Sequence, residues 1–512
     1  MAKRKGSAGN SARRKKSTNK YSRRSGSNKL GTLCIILQTI ASIALMAVLC
    51  LLGMIPDKYL ILVAAILFFL WCVTLNSQAA RRKRGTLGKV FSLLMAVVMF
   101  TGSYYVAQAN NMIGKITGGN YKVDKMVVAV RADDSAETIE DAAGYTYGVQ
   151  FEKGADNIQT AVTDIEKQIG VDTIEVKEYD SVQAQAQALI DGDCDAIIYN
   201  SAYTSLMEEA VDGYSEKAKV LYTFNIRVEL NLGNKDSMAT DDSITKEPFT
   251  VYISGIDVYG DVSETSRSDV NIVLTVNART KQVLMISTPR DYYVPLSISN
   301  GVPDKLTHAG IYGINVCMDT LNMLYDTDIN YYFRLNFAGF VQIIDALGGI
   351  TVDSDYDFTT QNSSGYHFTK GPNQVNGDQA LAFCRERYAF SAGDRQRGKD
   401  QMKVIQGVIN KATSPDILKN YLSLLDSLSG CFETNIPYDV ITSLVKQQLD
   451  EGGSWQVLSY SVDGTGDTQK PYSMSQKAYV MVPDQTTVDK AKTLMQKVRQ
   501  GFMLSEADVS AQ

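Results

Sequence analysis

At 512 residues the chain exceeds one ordinary domain, and a hydrophobic content of 45% supplies more than one core. The net charge of −5 hides a split: residues 1 to 89 hold 17 Lys and Arg against one acid, Asp57, for +16, and the other 34 basic and 55 acidic residues sum to −21. Seven cysteines with no CxxC pair, three of them in apolar runs, exclude a disulfide framework, and His308 and His367 alone make a His/Cys zinc site a poor fit.

The first 29 residues form a basic tail with eleven Lys and Arg. Its KRK and RRKK runs suit either a nucleic-acid arm or a topology signal facing anionic lipid. No aromatic interleaving or DNA-reading module accompanies them, so topology is preferred and no nucleic-acid partner is expected. Apolar stretches at Leu30 to Met54, Tyr59 to Leu75 and Val90 to Ala109 predict three transmembrane helices within residues 30–109. The first is too long, and its leader too extended, for an ordinary cleaved signal peptide. The tail and the loop with Arg81, Arg82, Lys83, Arg84 and Lys89 are the basic flanks, which predicts a cytoplasmic N-terminus and an extracellular remainder.

Residues 120–235 read as strands alternating with helices, including a helix over DSAETIEDAAG, and predict an accessory α/β domain with a largely parallel sheet. The stretches GVQFEKGADN and EYDSVQAQAQALIDGDCDAIIYNSAY resemble one lobe of a periplasmic solute-binding fold. A structural or partner-docking role is the plain alternative to ligand binding. The polar run NLGNKDSMATDDSITKE reads as a linker.

A second α/β domain occupies 245–505. FTVYISGID, VNIVLTVN and QVLMISTPRD read as strands, the last two joined by a short turn and therefore antiparallel. That hairpin returns Arg290 to the neighbourhood of Asp269, and Asp257 joins them if the first strand is also antiparallel. Further along, RERYAFSAGDRQRGKDQ supplies Arg385 and Arg387, then Asp394, Arg397 and Gln401 at helical spacing, followed on the same face by apolar Ile405, Val408 and Ala412. A helix face turned toward a core carries such groups only where something buried needs them. Arginine forks together with carboxylates suit a pyrophosphate bridged by Mg²⁺, and a structural ion-pair network is the bland alternative. Leu418 to Ser429, Val440 to Leu449 and Thr486 to Gln500 read as helices, WQVLSYSV as a strand, and the tail beyond Leu504 as frayed.

In order and spacing, SGIDVYG, SRSDVNIVLTVN, STPRDYYV, DKLTHAGIYG, YYFRLNFAGF and ALAFCRERYAFSAGDRQRGKDQ resemble the catalytic domain of the LytR-CpsA-Psr family over about residues 247 to 415. The anchor and accessory domain look like its capsule-associated CpsA branch. The resemblance implies an α-β-α catalytic domain with a mixed central sheet and an apolar lipid tunnel. It also implies a Mg²⁺-dependent phosphotransferase attaching an undecaprenyl-pyrophosphate-linked glycopolymer, capsular polysaccharide or teichoic-acid-like, to peptidoglycan, at a bacterial membrane and with capsule-synthesis proteins as further partners. Carried over, Asp257 and Asp269 are metal ligands. Arg267, Arg290, Lys305, Arg385, Arg387, Arg397 and Gln401 bind pyrophosphate, with Arg267, Arg290 and Asp394 as catalytic residues. Asp400 stands where many members have arginine, which removes a positive charge. Two alternatives are a membrane-bound regulator and a non-catalytic polyprenyl-phosphate or glycan-binding scaffold.

Overall fold

A computed structural model of the chain describes residues 29–79, 83–116, 121–151, 155–229, 244–256, 262–363, 365–414 and 430–510. The basic tail, Asp257 and the helix expected at Leu418 to Ser429 lie outside them. The described residues divide into two compact units.

One unit consists of most of α1 (Lys29–Leu52), α2 (Asp57–Ala79) and α3 (Lys83–Ile116). Three segments, Leu30–Leu52, Asp57–Ser77 and Thr86–Ala107, are long and apolar enough to cross a membrane. Small residues let the helices approach: Ala41 and Ala96 are buried with Leu67 and Met99. Trp71 Nε1 donates to Thr39 Oγ1 at 3.0 Å, and Ser92 Oγ donates to the Cys34 carbonyl at 2.9 Å. Leu33, Phe68 and Val97 point outward, each more than half exposed, as lipid-facing residues do.

The second unit contains both α/β parts. The accessory sheet has the order β3-β2-β4-β1-β5, from β1 (Tyr121–Arg131), β2 (Thr146–Val149), β3 (Glu175–Glu178), β4 (Ala196–Asn200) and β5 (Ala218–Glu229). Strands β3, β2 and β4 are parallel, connected through α4 (Ala155–Ile169) and α5 (Val182–Asp191), whereas β1 is antiparallel to both β4 and β5. The sheet is therefore mixed rather than largely parallel. Helical crossovers enforce parallel pairing only where they occur, and β1 leads to β2 without one. The helix expected over DSAETIEDAAG is a single 3₁₀ turn, Ile139–Ala142. Asp141 accepts from the backbone of Glu137 and Thr138, and Asp134 from Ala136, so short polar side chains satisfy the backbone locally and a helix does not propagate.

The sheet of the second α/β part follows the order β10-β9-β6-β7-β8-β11. Its strands are β6 (Phe249–Ile256), β7 (Ser268–Asn277), β8 (Gln282–Ser287), β9 (Tyr331–Leu335), β10 (Phe432–Thr434) and β11 (Gln456–Ser461). β7 is antiparallel to both β6 and β8, β9 joins β6 and β11 joins β8 in parallel, and β10 joins β9 antiparallel, so this sheet is mixed as expected. Alternation sends Tyr252, Val273, Leu284 and Ile286 to one apolar layer and Val251, Ile272, Leu274 and Met285 to the other. Helices cover both faces. The chain end is ordered where fraying was expected: Glu506–Ser510 is a helix, Val509 is buried in the first of those layers, and Ser505 is held by Asp508.

Candidate active site

The antiparallel register places Ile256 opposite Ser268 and Ile272 opposite Ser287, so the C-terminal ends of β6 and β8 meet the start of β7. Arg290, three residues past β8, donates through Nη1 to Asp269 Oδ2 at 2.9 Å. Thr307 Oγ1 donates to the other carboxylate oxygen at 2.9 Å. Burial disfavours the Asp269 anion, but Arg290, Arg267, the Thr307 hydroxyl and Arg397 together hold its pKa below the ordinary value.

The opposing wall comes from three helices: α7 (Phe337–Ala346), α8 (Gly377–Arg385) and α9 (Asp394–Ala412). α8 ends at Arg385, and Glu386 is extended. Its buried carboxylate accepts from the backbone N–H groups of Gln361, Arg387, Tyr388 and Ala389 at 2.6 to 3.0 Å. Burial opposes that anion and the backbone donors outweigh it, so its pKa is lowered. Glu386 thereby turns one way while Arg385 and Arg387 on either side line the cavity. Their guanidiniums lie against rings, Arg385 at 4.2 Å from the Phe337 centroid and Arg387 at 4.7 Å from that of Tyr388. Gly393, at φ +52°, makes the sharp entry into α9, whose first residue, Asp394, pairs with Arg397.

These groups surround a cavity of about 320 Å³. Asp269, Arg290, Arg385, Arg387, Arg397 and Gln401 supply its charged and polar lining, and Ile253, Leu335, Phe340, Leu381 and Ile405 its apolar lining. A smaller cavity, about 140 Å³, adjoins it and contains Asp394; Asp269, Arg290, Arg397 and Gln401 line both. Burial lowers the pKa of Arg397, and Arg290 and Arg387 lower it further against the pull of Asp394 and Asp269. Arg397 is thus crowded by two other guanidiniums, with Asp394 and Asp269 as its counter-charges.

Two expected phosphate ligands stand elsewhere. Arg267 and Lys305 do not line the cavity; both pair with Glu209, at 3.1 and 3.4 Å. Glu209 belongs to the short accessory helix Thr204–Ala210, so the accessory domain inserts a carboxylate beside the site. Asp291, also outside the expected set, lies 3.7 Å from Arg290 and 3.9 Å from Lys305; burial raises its pKa against the pull of those two cations. The STPRD run contained it, but no spacing signal distinguished it from its neighbours. No local pattern marked Glu209. Asp400 takes a different place from the one its departure from the family pattern suggests. It does not line either cavity; it is buried, accepts from Gln396 at 3.0 Å, and burial raises its pKa to about 7. Among the described residues no group of three His, Cys, Asp or Glu side chains gathers as a metal site.

The family model described as LytR_cpsA_psr matches residues 213–497, more than half of the chain. This chain belongs to the LytR_cpsA_psr family. Among its LytR_cpsA_psr relatives, the protein named polyisoprenyl-teichoic acid–peptidoglycan teichoic acid transferase TagU of Enterococcus faecalis is 36% identical over 226 residues, 44% of this chain and 73% of that one. The Bacillus licheniformis protein of the same name is 33% identical, over 47% and 76%. The crystal structure of B. subtilis TagV is 26% identical, covering 51% of this chain and 99% of that one at a TM-score of 0.43. A second model, described as DNA polymerase processivity factor, matches residues 82–199. That is under a quarter of the chain and runs from α3 into the accessory domain. Glu209 precedes the matched LytR_cpsA_psr residues, so the carboxylate on Arg267 and Lys305 comes from outside that matched span.

Proposed function

We propose that this chain is a membrane-anchored phosphotransferase that moves a glycopolymer from an undecaprenyl-pyrophosphate carrier to peptidoglycan. The observation that carries the reading is the cavity itself, whose lining combines crowded arginines with aliphatic and aromatic side chains. That is the complement of a pyrophosphate ester of a hydrocarbon alcohol. The names of the relatives support transfer to peptidoglycan, and a carrier held at the membrane suits three apolar helices in the same chain. The basic flanks support a cytoplasmic N-terminus with the catalytic domain outside. A capsular polysaccharide or a teichoic-acid-like polymer is the proposed cargo, the second in keeping with the names of the relatives, and capsule-synthesis proteins are the proposed partners.

In this mechanism an acceptor sugar hydroxyl attacks the phosphorus nearest the polymer. The new bond is sugar oxygen to phosphorus; the bond that breaks leads to the bridging oxygen, which departs with undecaprenyl phosphate. Arg290, Arg385, Arg387 and Arg397 neutralise the charge gathering on that leaving group. Gln401 donates from the same helix face. The hydroxyl enters through the smaller polar cavity, where Asp394 accepts its proton and orients Arg397. Arg267 and Lys305 act on the polymer side, beside Glu209. Asp269 is an ionised oxygen donor in the cavity lining, and Mg²⁺ with few protein carboxylates and substrate phosphates is a fitting pairing, Asp257 being the proposed second ligand. When bound, the ion supplies charge neutralisation between the phosphates.

The test is incubation of the full chain in detergent with a lipid-pyrophosphate-linked oligosaccharide and peptidoglycan fragments, with and without Mg²⁺, scoring the phosphodiester-linked product. Product that forms in the wild type and is lost in Arg290→Ala supports the reading. Tight binding of the lipid without product supports a scaffold instead.

A further inference from the structure

A second cavity, about 340 Å³, lies between the accessory and catalytic domains, away from the arginines. One wall is the C-terminal edge of the parallel strands: Gln150 follows β2, Asn200 ends β4, and α5 begins alongside. Ligands of open α/β sheets bind at that edge. The catalytic domain closes the other side with Ile298, Ile311, Tyr312 and Tyr472.

The lining has no net charge. Lys122 pairs with Asp124 at 2.9 Å, and the Asp124 oxygens also accept from Thr265 and Asn157, each at 2.6 Å. That pair is internally satisfied, so the cavity offers nothing to a phosphate or a carboxylate. What remains is amides and rings. Gln150, Asn157, Gln185 and Asn200 present side-chain amides, and Tyr199, Tyr203, Tyr312 and Tyr472 present aromatic faces.

Two of these groups are fixed without being satisfied. Gln185, fully buried, donates through Nε2 to the carbonyls of Gly148 and Ile198, both at 2.8 Å, while its Oε1 has no partner. The Tyr312 hydroxyl is likewise buried and unpartnered. A buried acceptor and a buried donor left open at one cavity are costly unless something completes them.

We propose that this cavity binds a neutral saccharide of one or two rings. Tyrosine faces pack against the C–H faces of a pyranose, and amides pair with hydroxyl or acetamido groups, which both donate and accept. Charge neutrality sets this site apart from the pyrophosphate cavity, and the proposal stands whether or not the chain transfers a polymer.

The test is calorimetric titration of the full chain in detergent with diacetylchitobiose and, separately, cellobiose. At least one is expected to bind saturably. Tyr312→Phe removes only the unpartnered hydroxyl, so it should keep or raise the melting temperature of the sugar-free protein and weaken binding by about tenfold. Tyr203→Leu should weaken it comparably by removing a ring. No saturable binding of either sugar, or wild-type affinity in both tyrosine variants, overturns the proposal. So does inorganic pyrophosphate binding that depends on Tyr312.

Discussion

Arg290 and Asp269 fix each other: the 2.9 Å hydrogen bond raises the proton affinity of the guanidinium and lowers that of the carboxylate, against burial that pushes both the other way. Truncating either takes from the other its nearest counter-charge. Arg290→Ala is expected to reduce kcat/KM for polymer transfer by about 10²- to 10³-fold, the scale of a lost transition-state donor. Arg290→Lys should recover little, because an ammonium lacks the planar fork. Single-turnover assays with a lipid-pyrophosphate oligosaccharide measure both.

Glu209 occupies two cations that a phosphate-rich substrate would otherwise find free. Glu209→Gln keeps the shape and removes the charge, so inorganic pyrophosphate should bind roughly two- to fivefold tighter, a modest effect because the pairs are partly solvated. Unchanged affinity, measured by calorimetry, would show that Arg267 and Lys305 take no part in anion binding.

Asp400 makes stability depend on pH. Its pKa is 3.8 in the ordinary carboxyl and about 7 when buried against Gln396, with Lys403 and Lys399 drawing it down and Asp355 raising it. The folded state therefore holds a proton that the unfolded chain releases, and stability falls as pH rises from about 4 to about 7. Asp400→Asn should flatten that part of the melting-temperature profile and raise stability at pH 8. A profile with the wild-type slope would contradict it.

Gly339 stands in α7 where an added Cβ would lie 1.8 Å from the Cys431 carbonyl oxygen. Gly339→Ala must push α7 from the strand beside it. The expected loss is on the order of 1–3 kcal/mol, read as a lower denaturation midpoint, and Phe337 should shift with it and loosen Arg385.

Much of this site was legible because it rests on short-range rules. A tight turn between VNIVLTVN and QVLMIS forces antiparallel pairing, and antiparallel pairing brings Arg290 to Asp269. Helical spacing put Arg397 and Gln401 on one face, and both line the cavity. The failures are of a different kind. Glu209 reaches Arg267 only because two domains dock, and no local pattern in TSLMEEA encodes that. The position of Asp400 depended on helix phase: Gln401 and Arg397 turn to the cavity while Asp400 turns to Gln396, so an acid there costs the phosphate site nothing directly. DSAETIEDAAG had helical composition, but Asp134 and Asp141 capped the backbone before a second turn formed. The ordered Glu506–Ser510 helix owed its place to a single apolar residue, Val509, in an otherwise polar tail.

The wall shared by the two cavities bears on reaction order. Because Asp269, Arg290, Arg397 and Gln401 face both compartments, donor and acceptor can be held at once, one on each side. On the proposed function, transfer across such a partition is a single displacement: it inverts configuration at phosphorus, needs no phosphorylated protein intermediate, and gives intersecting rather than parallel double-reciprocal plots.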